Sequence, residues 1–252
     1  MQIAFTWEGS AYRFALDHPL DISIPLESGA RQPNAFHAPP YEYSPVKTGD
    51  FTGLVSAGSP VNFLNLHINP HGNGTHTEGI GHITPEIFPV RECLPRFHFL
   101  ALLLSVEPSA LSNGDRVIGP EPLQAFADEL EKYCPEAVIV RTLPNPLEKK
   151  TRNYSDSNPP YFLPEATAWL CGLGVLHLLT DLPSVDREQD GGRLAAHKAF
   201  WLYPDSPRKH STITEMVFVP DEVADGFYLL NLQILNLDTD ASPSRPVLFP
   251  TV

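Results

Sequence analysis

A chain of 252 residues is long enough to bury a substantial core, and 42% hydrophobic with 19% charged residues matches a globular protein and excludes a disordered one. The formal net charge of −13, from 17 basic and 30 acidic residues, leaves no basic stripe to neutralise phosphate, so nucleic-acid binding is not expected. Three widely spaced cysteines, Cys93, Cys134 and Cys171, form no CxxC pair and point to a reducing cytoplasm without a disulfide framework.

The opening residues lack the charged and then apolar pattern of a signal peptide. The first 60 residues read as loop-rich, with a short strand at Leu20–Ile24. Val61–Asn69 alternates weakly, as in a strand leading into a site. The longest apolar run, near Phe97–Val106, is far too short to span a membrane and reads as a buried strand. Leu123, Phe126, Leu130 and Tyr133 recur at spacings of three and four, which predicts one helix face over Pro120–Tyr133. Ala137–Arg141 follows as a strand. Leu163–Leu173 reads as a helix with Pro164 near its start and Gly172 and Gly174 at its end. Val175–Thr180 is then a strand, Gly192–Leu202 a helix, and Gly226–Leu237 a strand. The 27 prolines, many between apolar runs, describe irregular connections and not a helical bundle. Alternating strands and helices predict a mixed α/β layered fold, with residues 1–252 as a single domain.

The densest chemistry lies between Asn69 and His82, where His71, His76 and His82 and the carboxylate of Glu78 are interspersed with four glycines. In an extended chain His76 and Glu78 point to the same face. Imidazole with carboxylate suits Zn²⁺ or Mn²⁺. Gly79 and Gly81 allow the chain to turn and return His82 to the same centre. The plainer reading is a glycine-rich surface turn with solvated histidines. A phosphate loop is disfavoured, because no Lys follows the glycines.

Gly74-Thr75-His76-x-Glu78-x-x-x-His82 resembles the HxGTHxDxPxH signature of the cyclase family, the group that includes bacterial kynurenine formamidase. Further motifs resemble the family in the same order: Asp21-Ile22-Ser23, Val138–Thr142, Asp181-Leu182-Pro183-Ser184-Val185-Asp186, His197 on the helix that follows, Glu215, and Asp240-Ala241-Ser242-Pro243-Ser244-Arg245. The resemblance spans nearly the whole chain.

It implies an α/β fold of the swivelling β/β/α type with a mixed sheet, usually in a homodimer or higher homo-oligomer. It implies a divalent metal cofactor, Zn or Mn, one or two per chain. His76 and Glu78 would bind the first metal, and Glu78, His197 and Glu215 would bind or bridge to a second. His82 matches the family's proton donor and acceptor. The implied activity is hydrolysis of a small amide, formamide or lactam by metal-activated water, with His82 as proton shuttle. The alternative is a non-catalytic relative that binds a metal or a small molecule. Phe36 and Trp7 are candidates for a substrate wall, because the family uses N-terminal aromatics there, and Asn73 is a further candidate for the substrate side.

Two departures stand out. The family's first histidine falls at Gly72, and His71 lies one residue too early, a slip that flips a side chain to the other face of an extended chain. Either Gly72 and Gly74 permit a bulge that returns His71, or that ligand is absent. Glu78 replaces the family's Asp, one methylene longer. Asp181 and Asp186 flank a Pro-Ser turn, and either could orient a metal-bound histidine. The Tyr203–Lys209 segment reads as a surface excursion near the pocket mouth, with His210 solvated at its end. Asp238 and Asp240 read as parts of a structural turn.

Overall fold

A computed structural model of the protein describes residues 1–29 and 31–252. Its spine is a nine-stranded mixed sheet. An interior strand, His98–Val106, carries the predicted apolar run. It lies parallel to Ala137–Thr142, which pairs in parallel with His177–Thr180, itself parallel to Thr212–Glu215. Antiparallel strands flank this centre. Gly226–Asn231, Val247–Pro250 and Leu20–Asp21 extend one side. His76–Glu78 and then Ala241–Pro243 extend the other.

The sheet has a buried core on each face, which is why its central strands are apolar without alternation. Leu100, Leu102, Leu104, Val138, Val140 and Leu178 face one core, closed by the helices Pro164–Gly172 and Ala195–Trp201. Phe99, Ala101, Leu103, Ile139 and Leu179 face the other, against Val217, Val219 and Leu230. Fully burying each Leu, Ile, Val or Phe side chain among them contributes about 1.5–3 kcal/mol.

Several expectations need correction. Pro120–Tyr133 is two helices, Pro120–Gln124 and Ala127–Tyr133. The chain tightens between them, where Phe126 N–H donates to Leu123 O, three residues back. The N-terminus is less irregular than expected. Gln2–Trp7 and Ser10–Ala15 form a hairpin around Glu8 and Gly9, both with positive φ (45° and 75°), as a two-residue turn requires. Leu64–His67 is a strand, but it pairs with Glu42–Pro45 outside the main sheet and is exposed throughout. The last predicted strand ends early, at Asn231.

Candidate metal centre

The His76–Glu78 strand is held between Thr212–Glu215 and Ala241–Pro243. Alternation along it sends His76 and Glu78 to one face and Thr77 to the other, where the Thr77 and Thr214 hydroxyls share a 2.8 Å hydrogen bond. The register sets Glu215 directly opposite His76, so both point the same way. His76 Nε2 lies 3.3 Å from Glu215 Oε2. After Gly79 a turn over Ile80–His82 folds the chain back and brings His82 Nε2 to 3.8 Å from Glu78 Oε2. On the helix Ala195–Trp201, His197 reaches Glu78 Oε1 with Nε2 at 2.8 Å.

His71 joins this cluster. Its Nδ1 is 3.1 Å from Glu78 Oε2, and its ring centre is 4.3 Å from that of His82. A turn in which Asn73 N donates to Asn69 O at 3.0 Å brings His71 back to the side of Glu78. Gly74 takes a φ of 69°, the left-handed region that glycine adopts freely. Gly72 packs against the 35–38 loop, and a Cβ there would lie 2.2 Å from Ala38 Cβ. A side chain at position 72 would therefore point into that loop and not at the centre.

The outer nitrogen of each of four histidines is tied to an oxygen acceptor. His76 Nδ1 is 3.0 Å from Gly74 O, and His197 Nδ1 is 2.5 Å from Asp186 Oδ2. Asp240 Oδ2 accepts from His71 Nε2 at 2.9 Å and from His82 Nδ1 at 3.3 Å. Asp186 also accepts from the backbone N–H groups of Ala196 and His197, fixing the helix start and the imidazole together. Glu215 Oε1 accepts from Val185 N at 2.8 Å, leaving Oε2 toward His76.

With the outer nitrogens tied, the inner nitrogens of His71, His76 and His197 face carboxylate oxygens. His76 is fully buried, and its Nε2 has no aligned hydrogen-bond partner despite the nearby Glu215. A lone pair aimed at a carboxylate is repulsive unless a proton or a cation lies between them. Protons answer this at two positions. Burial disfavours a charged His71, but Asp240 and Glu78 outweigh it and raise the imidazole to about 10. Burial likewise disfavours a charged His197, and Glu78 and Asp186 raise it to about 10. Burial alone would push Glu78 up, yet His82 and His197 hold it well below the usual carboxylate range. The donor set of imidazole nitrogens and carboxylate oxygens, with no thiolate, fits Zn²⁺ or Mn²⁺. The ligand atoms of His71, His76 and Glu78 lie within 4.8 Å of one another, as do those of Glu78, His82 and His197, so the two groups meet at Glu78.

A cavity of about 400 Å³ opens over the centre, with Phe36, His82, Arg187, Glu188 and Leu194 in its wall. Phe36 is there as expected, 41% exposed, with a φ of 56° that non-glycine residues seldom adopt. Asn73 is not. It is fully buried, its amide donating to Pro39 O and accepting from Asn69 N, and it holds the loop instead of facing the cavity. Trp7 is also remote, its indole donating to Tyr133 O. Tyr203, Pro207 and Lys209 line a different cavity, beside Ile80 and Phe88. Of the two candidate aspartates, Asp186 orients His197, whereas Asp181 pairs with Lys149. Asp240, read as a structural turn, in fact bonds two of the histidines. Arg187, Glu188 and Asp190 at the mouth carried no motif that marked them.

The cyclase family model matches residues 19–187. That stretch contains His71 to Asp186 but ends before His197 and Glu215. Kynurenine formamidase of Bordetella avium (strain 197N) is 30% identical over 212 residues, which is 81% of this chain and 91% of that protein. Among solved structures, isatin hydrolase A from Labrenzia aggregata, bound to benzyl benzoate, aligns with a TM-score of 0.64 at 16% identity, over 93% of this chain and 94% of that one. A protein described as a potential metal-dependent hydrolase with cyclase activity aligns with a TM-score of 0.61 at 15% identity, over 92% and 97%. At those identities the structural likenesses speak for the fold. The family match and the Bordetella relative place the chain in the cyclase family.

Proposed function

We propose that the protein is a metal-dependent amidohydrolase that opens a small amide, formamide or lactam at a C–N bond outside the peptide class. One observation carries the reading: His76 Nε2 is buried, unpaired and aimed at Glu215 within a cluster of imidazoles and carboxylates under an open cavity. His71, His76 and Glu78 would hold one divalent cation. Glu78, with His197 and Glu215 beside it, would hold or share a second. A cation bound there supplies Lewis acidity toward water and the substrate carbonyl.

The chain's own residues supply the rest. His82 is 29% exposed on its side chain and lies at the cavity wall, where imidazole can carry a proton to a departing nitrogen. Asp240 accepts from its Nδ1 and leaves Nε2 for that transfer. Phe36 and Leu194 offer apolar surface, and the cavity volume suits a substrate with a single aromatic ring. A relative named for a formamide and a structural neighbour named for isatin, a lactam, agree with this class. The non-catalytic alternative draws on Gly72, and His71 Nδ1 at 3.1 Å from Glu78 Oε2 favours the enzyme reading over it.

The proposal extends to assembly. Tyr43, Phe63 and Leu66 are 50%, 57% and 64% exposed on the paired outer strands and their approach, and a second copy of the chain would cover them. Light scattering would then report a dimer or larger. The test of the reaction is turnover of N-formylkynurenine and of isatin by Zn- or Mn-loaded protein, lost on chelation and restored by metal. A loaded protein that turns over neither of these, nor any other aryl formamide or lactam, would sink the reading.

A further inference from the structure

A second, smaller cavity of about 100 Å³ lies on the other side of the Asp181–Asp186 turn. It opens beyond the carboxyl ends of the parallel strands Ala137–Thr142 and His177–Thr180, with Thr142 and Leu182 in its wall. Open α/β sheets place ligands at such ends. The charged residues that line it are Arg116, Lys149 and Arg152, and among the described residues no carboxylate does. An all-cationic wall stands out in a chain with a net charge of −13.

The three cations are not equivalent. Lys149 is committed: its Nζ donates to Asp181 Oδ2 and Thr142 O, each at 2.7 Å, and to Thr142 Oγ1 at 2.9 Å. Arginine ion pairs fall on Arg91, Arg96, Arg141, Arg187 and Arg245, and among the described residues Arg116 and Arg152 have none. Arg152 sits over the Tyr154 ring, 5.6 Å from its centre. Tyr154 is only 4% exposed, yet it lines the cavity. Two guanidinium groups beside one cavity, neither taken up by an ion pair among the described residues, leave their paired donors available to an anion.

We infer that this cavity binds a small oxyanion, held by the guanidinium groups of Arg116 and Arg152 and by the hydroxyl of Tyr154. Guanidinium groups present paired N–H donors that match phosphate, sulfate and carboxylate oxygens. The volume admits a single such group and excludes a nucleotide. The anion would also brace the catalytic cavity. Arg152 O accepts from Asn34 N, Tyr154 N donates to Asn34 O, and Ala35 N donates to Gly72 O. The segment that grips the anion thus adjoins the loop that carries Phe36 and supports His71.

The test uses sulfate as probe on the full chain, by calorimetric titration and by thermal unfolding against sodium chloride at equal ionic strength. The expected result is a saturable rise in unfolding temperature with sulfate. Arg116→Gln and Arg152→Gln each raise the sulfate dissociation constant at least tenfold, Tyr154→Phe raises it less, and Arg91→Gln leaves it unchanged. The response persists in His76→Ala, which separates this cavity from the metal centre. Two results overturn the inference: a wild-type response that follows ionic strength alone, or Arg116→Gln and Arg152→Gln variants that bind sulfate as the wild type does.

Discussion

The imidazoles of His71 and His197 set the pH behaviour of the centre. Each has its outer nitrogen on an aspartate and its inner nitrogen on Glu78, and each is raised to about 10 in the metal-free protein. A histidine raised above its unfolded value of about 6.5 contributes stability that is complete below that pH and is lost as pH rises through about 10. A cation has the opposite dependence, because it must displace those protons. Metal affinity is therefore expected to rise steeply between pH 6.5 and 8.5, with protons released on binding. Competition against a coloured chelator at the two pH values checks this, and equal affinities would contradict it. His82 is predicted to act differently from its neighbours. His82→Ala should keep the metal content and lower turnover by about 10²–10⁴-fold, the usual share of a proton-transfer group. Unchanged turnover would remove its role as proton shuttle. Asp240 shows the limit of reading residues singly: nothing in its motif says that one carboxylate oxygen serves both His71 and His82.

The segment from Asn69 to His82 is the element on which the site depends. Its extended part was legible, because a period of two puts His76 and Glu78 on one face whatever the neighbours are. The return of His71 stayed one of two alternatives in the sequence, since deciding it requires the conformation at Gly74 and the close packing of Gly72 on Ala38. Nor does the linear pattern fix the register that sets Glu215 opposite His76. Two outcomes follow for position 72. Gly72→Ala should cost about 1–3 kcal/mol by overpacking, seen as a lower urea midpoint. Gly72→His, which restores the family's histidine at its own position, should add no ligand and no metal equivalent. A gain in bound metal in that variant would show that the turn is not fixed. The N-terminal hairpin offers a milder lesson: Ile3, Phe5 and Trp7 alternate with exposed residues, but the short strands are easily taken for loop.

Across the whole molecule, the buried strands were legible from their apolar runs, while their order in the sheet was not. Pairing is set by packing between distant segments, as where Ala241–Pro243 closes the edge beside His76–Glu78. The sheet also carries a buried titratable group away from the centre. His177 bonds Thr212 Oγ1 at 2.9 Å and lies against Phe99, and burial pushes it down to about 3. A depressed histidine contributes stability above its unfolded pKa and loses it as pH falls from about 6.5 toward about 3. Each pH unit in that window costs up to about 1.4 kcal/mol. The urea midpoint of the metal-free protein should fall between pH 6.5 and 5, and His177→Gln should flatten that slope. An identical slope in the variant would assign the acid sensitivity to other groups.

The proposed reaction depends on the histidines and carboxylates around Glu78 holding a metal. The deciding measurement is metal content per chain, on protein purified without added metal and again after Zn²⁺ or Mn²⁺ is supplied, set beside His76→Ala. About one or two equivalents are expected in the wild type, one held by His71, His76 and Glu78 and a second by Glu78 with His197 and Glu215, with loss of bound metal in the variant. A folded wild type that takes up no metal from either supply would contradict this, as would a His76→Ala variant that binds as much as the wild type.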